Sequence, residues 1–305
     1  MKVLVTGGAG FIGERVTHLL IESGHTVTVF DDLSTGHTDA VPEAARLINA
    51  TVRDPLAVAE AVTGQDAVIH LAAQALVPES VADPQKAFDI NLEGGQILLE
   101  AMRAKQVRRL VFASSAAVYG QPSRVPITED DPLVPTTPYG ATKVAFEALI
   151  HAYHASYGLN AVIFRFFNPY GPGERHDPET HAVPNFIMAA LKGEPVPLYW
   201  GGEQIRDFFY VDDIARAHVM ALESTGHHTY NLGSGAGLAV KDLVREISQL
   251  TGRDVHSRDL GERPGDPPKL LSDIQKAQKE LRWHPETSLK DGLTQTISAF
   301  RKRLR

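Results

Sequence analysis

KVLVTGGAGFIG, residues 2–13, decides the fold. A β-branched run (KVLVT, 2–6) reads as a strand. An apolar-periodic stretch (FIGERVTHLLIESG, 11–24) reads as a helix, with Gly24 as its stop. Between them Gly7, Gly10 and Gly13 fall at three-residue steps. A glycine pattern by itself is weak, but this one sits in the strand–turn–helix context that gives it meaning. Glycine lets the turn take positive φ and lets a pyrophosphate approach the backbone, and the helix start offers N–H groups and a positive dipole end. The plainer alternative is a tight turn that serves only helix–strand packing. Asp31 ends the next strand (TVTVF, 26–30), eighteen positions after Gly13. A carboxylate there accepts hydrogen bonds from an adenosine ribose and repels a 2′-phosphate. FDDLSTG (30–36) holds no Arg or Lys. The expected cofactor is therefore NAD rather than NADP, unless Asp31 is merely a turn or capping residue.

Outward from this unit, strand and helix alternate. Residues 44–52 carry a third strand, 55–64 a helix, 66–73 a strand, 97–105 a helix, 108–115 a strand, 142–158 a long helix and 160–166 a strand. The strands are nearly all apolar, which means a parallel sheet covered on both faces. Beyond Asn168 the character changes. Residues 168–181 are rich in Pro, Gly and charge and read as a loop. Helices are expected over 183–193, 240–252 and 273–283, and a strand and turn over 229–235. This part is shorter in strands and reads as a cover over the carboxyl edge of the sheet.

Composition narrows the function classes. With 305 residues, 43% hydrophobic and 22% charged, the chain has ample core for one large domain or two interleaved ones. A net charge of -7 gives no footprint for nucleic acid or anionic membrane. The absence of cysteine excludes disulfides, thiolate catalysis and Cys-ligated metal. No apolar run reaches a membrane span, and the opening strand does not read as a signal peptide, so a cytoplasmic protein is expected. His176 and His181 in HDPETH (176–181) read as a solvated loop, and no His-Glu-x-x-His motif occurs, so no metal is expected. His151 and His154 on the long helix read as surface or interface residues.

TTPYGATK (136–143) puts Tyr139 and Lys143 on one helix face. Ser115 ends the strand before it. In a doubly wound sheet, strand carboxyl ends and the helix starts that follow them meet at the ligand crevice. A phenol ionises near pH 10, so service at neutrality requires about 4 kcal/mol. A nearby ammonium supplies about 3–4 kcal/mol at an effective dielectric of 20. Lysine alone is borderline; lysine with an oxidised nicotinamide is enough. Tyr139 is then the acid/base, Lys143 its electrostatic support, and Ser115 a hydrogen-bond partner of the same substrate oxygen. The plain alternative is a helix-start tyrosine beside a solvated lysine.

With TGGAGFIG, DDLSTG, VIHLAAQ, NLEGGQILLEA, SSAAVYG, PYGATK, FRFFNPYGPG, GGEQIRDFFYVDDIA, NLGSG and RPGDP in order, the chain resembles the extended short-chain dehydrogenase/reductase family over nearly its whole length, and most closely its nucleotide-sugar epimerase branch. The resemblance implies a Rossmann α/β domain, residues 1–168 plus about 209–237, that binds NAD. A smaller C-terminal α+β domain, about 169–208 plus 238–305, would bind the nucleotide sugar. It implies cofactor contacts from Gly7, Gly10, Phe11, Ile12, Gly13, Asp31, Asp32, Leu33, Ser34, Thr35, Gly36, Val52, Leu71, Ala72, Ala73, Asn91, Tyr139, Lys143 and Phe167. Substrate contacts would come from Ser115, Tyr139, Asn168, Tyr199, Arg206, Arg263 and Asp266, the arginines gripping the diphosphate.

The implied partner is a UDP-sugar and the implied assembly a homodimer. The implied reaction is 4-epimerisation through a 4-keto intermediate, with glucose/galactose as the first pair and the N-acetylglucosamine or glucuronate forms as alternatives. Dehydratases of the family carry acids before Val-Tyr-Gly; here Ala116 and Ala117 stand there, which speaks against dehydration. A non-catalytic dinucleotide sensor is the remaining alternative, and it would tolerate loss of Tyr139 or Lys143. The chain departs from the family at Thr51, where an acid is usual, at Gln74–Ala75, where some members have Lys, and at Leu270, where some have Tyr. Leu270 frees volume beside the sugar.

Overall fold

The structure, a computed structural model, describes residues 1–175, 181–262 and 267–304. In chain order the elements are β1 (Lys2–Thr6), α1 (Phe11–Glu22), β2 (Thr26–Asp31), β3 (Arg46–Asn49), α2 (Pro55–Val62), β4 (Ala67–His70), α3 (Val77–Ala82), α4 (Pro84–Phe88), α5 (Gly94–Ala104), β5 (Arg109–Ser115), α6 (Pro138–Tyr157), β6 (Asn160–Phe166), β7 (Asn168–Tyr170), α7 (Ala182–Lys192), β8 (Val196–Leu198), β9 (Ile205–Arg206), β10 (Phe208–Tyr210), α8 (Val211–Ala221), β11 (His227–Leu232), β12 (Leu238–Ala239), α9 (Val240–Thr251), β13 (Ser257–Asp259) and α10 (Leu289–Arg303).

Seven strands form one parallel sheet in the order β11-β6-β5-β4-β1-β2-β3. The order reverses between β1 and β4, and a crevice opens where their carboxyl ends diverge. Alternation along the strands sorts the core into two layers. Val3, Val5, Val27 and Val29 pack under α1 and α8 through Val16, Leu20 and Ile214. Leu4, Phe30, Val68 and Phe112 pack under α2, α5 and α6 through Val62, Leu98, Met102 and Phe146. A third cluster joins α7, α9 and α10 through Ile187, Leu243, Ile247 and Phe300.

Several expectations are corrected. The long helix starts at Pro138 rather than 142, because Thr137 caps it by accepting a hydrogen bond from the Gly140 N–H at 3.1 Å. The helix expected over 273–283 is shorter at both ends: residues 275–281 are helical, the last five as the π-type turn Ala277–Leu281, and Arg282 at φ +56° closes it. Arg301 and Arg303 near the chain's end, read as a solvated helix end, stand in the last turn of α10. Its signals are Ser288, which caps the Asp291 N–H at 3.1 Å, and Leu293, Ile297 and Phe300 at helical spacing. The segment 168–181, expected as loop, begins with β7, which pairs with β10.

Between β9 and β10, fully buried Asp207 gathers chain from distant parts. Its carboxylate accepts hydrogen bonds from Ser234 N (2.6 Å), Ser234 Oγ (2.5 Å), Gly235 N (3.3 Å), Ser272 N (3.0 Å) and Ser272 Oγ. Asn at 207 would turn an amide donor toward donors. Asp207→Asn is expected to cost about 2–4 kcal/mol of stability in urea unfolding, and a loss under about 1 kcal/mol would contradict this role.

Two histidines lie wholly inside the core. His70 bonds Thr6 Oγ1 at 2.7 Å and stacks on Phe112; His218 bonds the Ile214 carbonyl at 2.9 Å. Burial, with Lys143 as a second cause, lowers His70 to about 3, and burial lowers His218 to about 4. The unfolded chain therefore binds protons that the folded chain refuses. Their contribution to stability is full above the unfolded value of about 6.5 and is lost as pH falls toward the folded values. His70→Gln is expected to flatten the decline of stability between about pH 6 and 4 by roughly 1.4 kcal/mol per pH unit. An unchanged slope of the urea midpoints would count against it.

Candidate active site

The crevice at the strand reversal measures about 1660 Å³ and runs from Asp31 past Gly10–Gly13 and Tyr139 to Tyr199 and Arg206. Pockets for one drug-sized ligand run to roughly 1,000 Å³, so there is room here for two ligands in line.

At one end, Gly7 sits at φ +73°, and a Cβ there would lie 2.6 Å from the Ala72 nitrogen. A Cβ on Gly13 would lie 2.0 Å from the Gly7 carbonyl oxygen, so the loop and the helix start touch backbone to backbone. Gly10 caps α1 with no side chain, which leaves the first N–H groups facing the crevice for an anion. Asp31 is 8% exposed; its Oδ2 accepts from Ala9 N at 3.0 Å and its Oδ1 from Leu33 N at 2.9 Å. Burial raises its pKa, and the two N–H bonds pull the other way. Each oxygen keeps a lone pair for a ribose hydroxyl. Phe30 and Val52 give this end an apolar lining. An uncapped helix start, a carboxylate for ribose and apolar walls fit an adenine dinucleotide.

Asp32, Ser34, Thr35, Phe11, Ile12, Leu71, Ala72 and Ala73 also line the crevice. Three expected cofactor residues stand elsewhere. Leu33, at φ +59°, and Gly36, whose bare Cα admits Ala9 and Asp31, shape the loop around the carboxylate rather than the wall. Asn91 is 3% exposed and occupied: its Oδ1 accepts from Gln74 N at 2.7 Å, and its Nδ2 donates to Gln74 O and Thr142 Oγ1. It ties the segment after β4 to α6, from the π-type turn Asp89–Glu93.

Ser115, Tyr139 and Lys143 meet at the middle of the crevice. Lys143 is 4% exposed and donates to the Ala113 carbonyl of β5 at 2.7 Å, with Nζ 4.7 Å from the Phe112 ring centre and 5.7 Å from that of Tyr139. Burial lowers Lys143 to about 7, against the pull of Glu147. Burial raises the Tyr139 phenol above its usual range, and the neighbouring Ser115 hydroxyl works against that rise. Burial thus adds to what a neighbouring positive charge has to offset before the phenol can serve near neutrality. Ala116 and Ala117 line the wall beside Ser115, so no acid stands there.

At the far end Phe167, Asn168, Tyr199, Arg206 and Leu270 line the crevice. Asn168 keeps its Oδ1 buried with no hydrogen-bond partner, which leaves an acceptor for a ligand. Arg206 is 7% exposed, with Nη1 on the Ile205 carbonyl at 2.8 Å. Arg263, Asp266 and His176 lie outside the described residues. Among residues not singled out from sequence, Lys86, Thr136, Thr137, Asn185 and Phe208 also line the crevice. Phe208 was legible in principle, since it follows Arg206 by two along an extended chain and so shares its side. Among the described residues no group of His, Asp or Glu is placed to hold a metal ion, and no helix is long and apolar enough to cross a membrane.

Comparison with known proteins agrees with this geometry. Residues 3–233 match the model of the NAD dependent epimerase/dehydratase family. The UDP-glucose 4-epimerase of Corynebacterium glutamicum is 42% identical over 300 residues, covering 94% of this chain and 91% of that protein. The structure of Thermotoga maritima UDP-glucose 4-epimerase with UDP-glucose superposes with a TM-score of 0.97 at 35% identity over 100% of both chains. The Thermus thermophilus UDP-glucose 4-epimerase in complex with NAD gives 0.92 at 37% identity over 99% of each. By sequence, by sheet and by crevice, the chain belongs to the NAD-dependent epimerase/dehydratase family.

Proposed function

We propose that this chain is an NAD-dependent UDP-glucose 4-epimerase that interconverts UDP-glucose and UDP-galactose. The observation that carries the reading is the convergence of Ser115, Tyr139 and buried Lys143 on one crevice whose walls at 116 and 117 are alanine. Bound NAD would accept hydride from the sugar C4 and return it. It would lie along Gly7–Gly13 with its adenosine ribose on Asp31, beside Asp32, Ser34, Thr35, Val52 and Leu71–Ala73.

Tyr139 takes the proton from the sugar 4-hydroxyl as the C–H bond is broken and returns it after the 4-keto sugar has turned over. Ser115 donates a hydrogen bond to the same oxygen. Lys143 stabilises the phenolate, as a buried cation does for a neighbouring anion. Phe167 packs beside the reacting end. Asn168, Tyr199 and Arg206, with Arg263 and Asp266, hold the nucleotide diphosphate while the sugar moves. No acid is present at 116 or 117 to expel water, which supports epimerisation over dehydration.

A second reading, 4-epimerisation of the N-acetylated UDP-sugars, is favoured by Leu270 on the crevice wall, where a leucine leaves room beside the sugar. We further infer a homodimer working in the cytoplasm, in galactose metabolism. We also infer a division of labour in which 1–168 with about 209–237 holds NAD and about 169–208 with 238–305 holds the sugar nucleotide. The supports for that division are the place of β11 in the main sheet and the separate core of α7, α9 and α10.

The test is to incubate the protein with UDP-galactose, UDP-N-acetylgalactosamine and UDP-galacturonate separately and to look for each 4-epimer. Conversion of UDP-galactose is expected, with Tyr139→Phe lowering the rate by roughly 10²–10⁴-fold. Conversion only of an N-acetylated or uronic substrate would shift the reading to that sugar. Conversion of none, even with NAD supplied, would overturn it.

A further inference from the structure

Behind Lys143, on the side away from the crevice, α6 carries an ion pair buried in the protein. Glu147 follows Lys143 by one helical turn and is 6% exposed. Arg165 of β6, also 6% exposed, donates from Nη2 to Glu147 Oε2 at 2.7 Å and from Nε to both carboxylate oxygens at 3.2 Å. Ser114 Oγ donates to Oε1 at 2.5 Å. Arg165 is held in turn, donating from Nη1 to the Tyr119 hydroxyl at 2.9 Å and to the Glu129 carbonyl at 3.0 Å. Neither Glu147 nor Arg165 lines the crevice.

A buried pair of this kind is weak evidence for stability, because well-packed apolar side chains often serve as well. Its position supplies a different reason. The titratable groups facing Lys143 are Tyr139 and Glu147 from α6, neutral His70 from β4 and, beyond Glu147, Arg165 from β6. β5 offers the Ala113 carbonyl and the Phe112 ring. Glu147, buried one helical turn along α6 from Lys143, is the carboxylate whose charge works against the burial of the ammonium, and three donated contacts from Arg165 and one from Ser114 fix where it points.

We propose that Glu147 is a positioning residue for proton transfer: clamped by Arg165 and Ser114 one helical turn from Lys143, its carboxylate supplies the negative field that keeps the ammonium charged where the Ala113 carbonyl holds it. The proposal rests on Tyr139 and Lys143 as the working pair. Burial alone drives Lys143 down, and Glu147 is the neighbour that opposes it.

The experiment follows the Lys143 side chain in the full-length protein by NMR of lysines labelled with ¹³C at Cε, the signal being identified by its absence in Lys143→Met. Glu147→Gln keeps the shape and an acceptor oxygen but removes the charge. It is expected to move the Lys143 midpoint down by roughly one pH unit, and the alkaline limb of the epimerase pH profile with it. An unmoved midpoint in a folded Glu147→Gln protein would overturn the proposal, even if activity fell evenly across pH.

If Glu147→Gln does not fold, the double variant Glu147→Gln/Arg165→Met removes both buried charges together, and a smaller downward movement is expected of it, because the lost cation stood farther from the ammonium than the lost carboxylate. A midpoint that stays in place there would be equally damaging. A wild-type protein whose midpoint responds as described but which converts no UDP-sugar would leave the role of Glu147 standing and defeat the proposed function instead.

Discussion

A lysine side chain leaves water only where something answers its charge, and the architecture of this molecule can be followed outward from the place where Lys143 does so. Its ammonium lies between a strand end and a helix start, on the Ala113 carbonyl, over the Phe112 ring and one turn from Glu147. Each partner comes from a different feature of the fold. The carbonyl lies in the last residues of β5, two residues before that strand ends at Ser115. The helix begins where it does because Thr137 caps it and Pro138 follows, which sets Tyr139 and Lys143 on the face toward β5. His70, from the strand next to β5, remains neutral partly because the ammonium is near. A parallel doubly wound sheet gathers these ends at one edge, which is why the chemistry sits there rather than on a face.

The crevice has two banks of different character. The bank under Gly7–Gly13 is backbone: contacts too close for any Cβ, and N–H groups without a side-chain cap. Such a surface recognises phosphate and ribose by shape and dipole and cannot be altered without moving the chain. The opposite bank is side chains, with Asn168, Tyr199, Arg206 and Leu270 among them. That bank can change one residue at a time while the sheet stays as it is. The division accounts for a family that shares one cofactor site and differs in the sugars it accepts.

Much of this was legible in the sequence, for reasons that also explain what was not. Gly7, Gly10, Gly13 and Asp31 are local: spacing on one strand–turn–helix unit fixes where each must stand. Tyr139 and Lys143 are legible because four residues on a helix is a spatial statement. For Asn91 the motif places the residue but not its amide. That amide turns inward to Gln74 and Thr142, and its partners lie 17 and 51 positions away. The Glu147–Arg165 pair was invisible for the same reason, since nothing local announces that a strand arginine will face a helix glutamate. The helix expected over 273–283 ends at Leu281 because a suitable pattern does not prevent Arg282 from taking positive φ and ending it. The final helix carried a cap and a spacing that a fuller reading of its window would have used.

Asp207 carries a consequence for how an epimerisation has to proceed. Its fully buried carboxylate binds the turn after β11, the segment at Ser272 and the strand pair beside Arg206 into one knot. Walls tied in this way do not swing apart with each catalytic cycle. A sugar that must offer both faces to one hydride donor then has to do the turning itself, pivoting about its fixed diphosphate inside a container of constant shape. The sorting of substrates becomes a matter of swept volume: the sugars that react are those whose substituents clear the walls throughout the rotation, not only at its two ends.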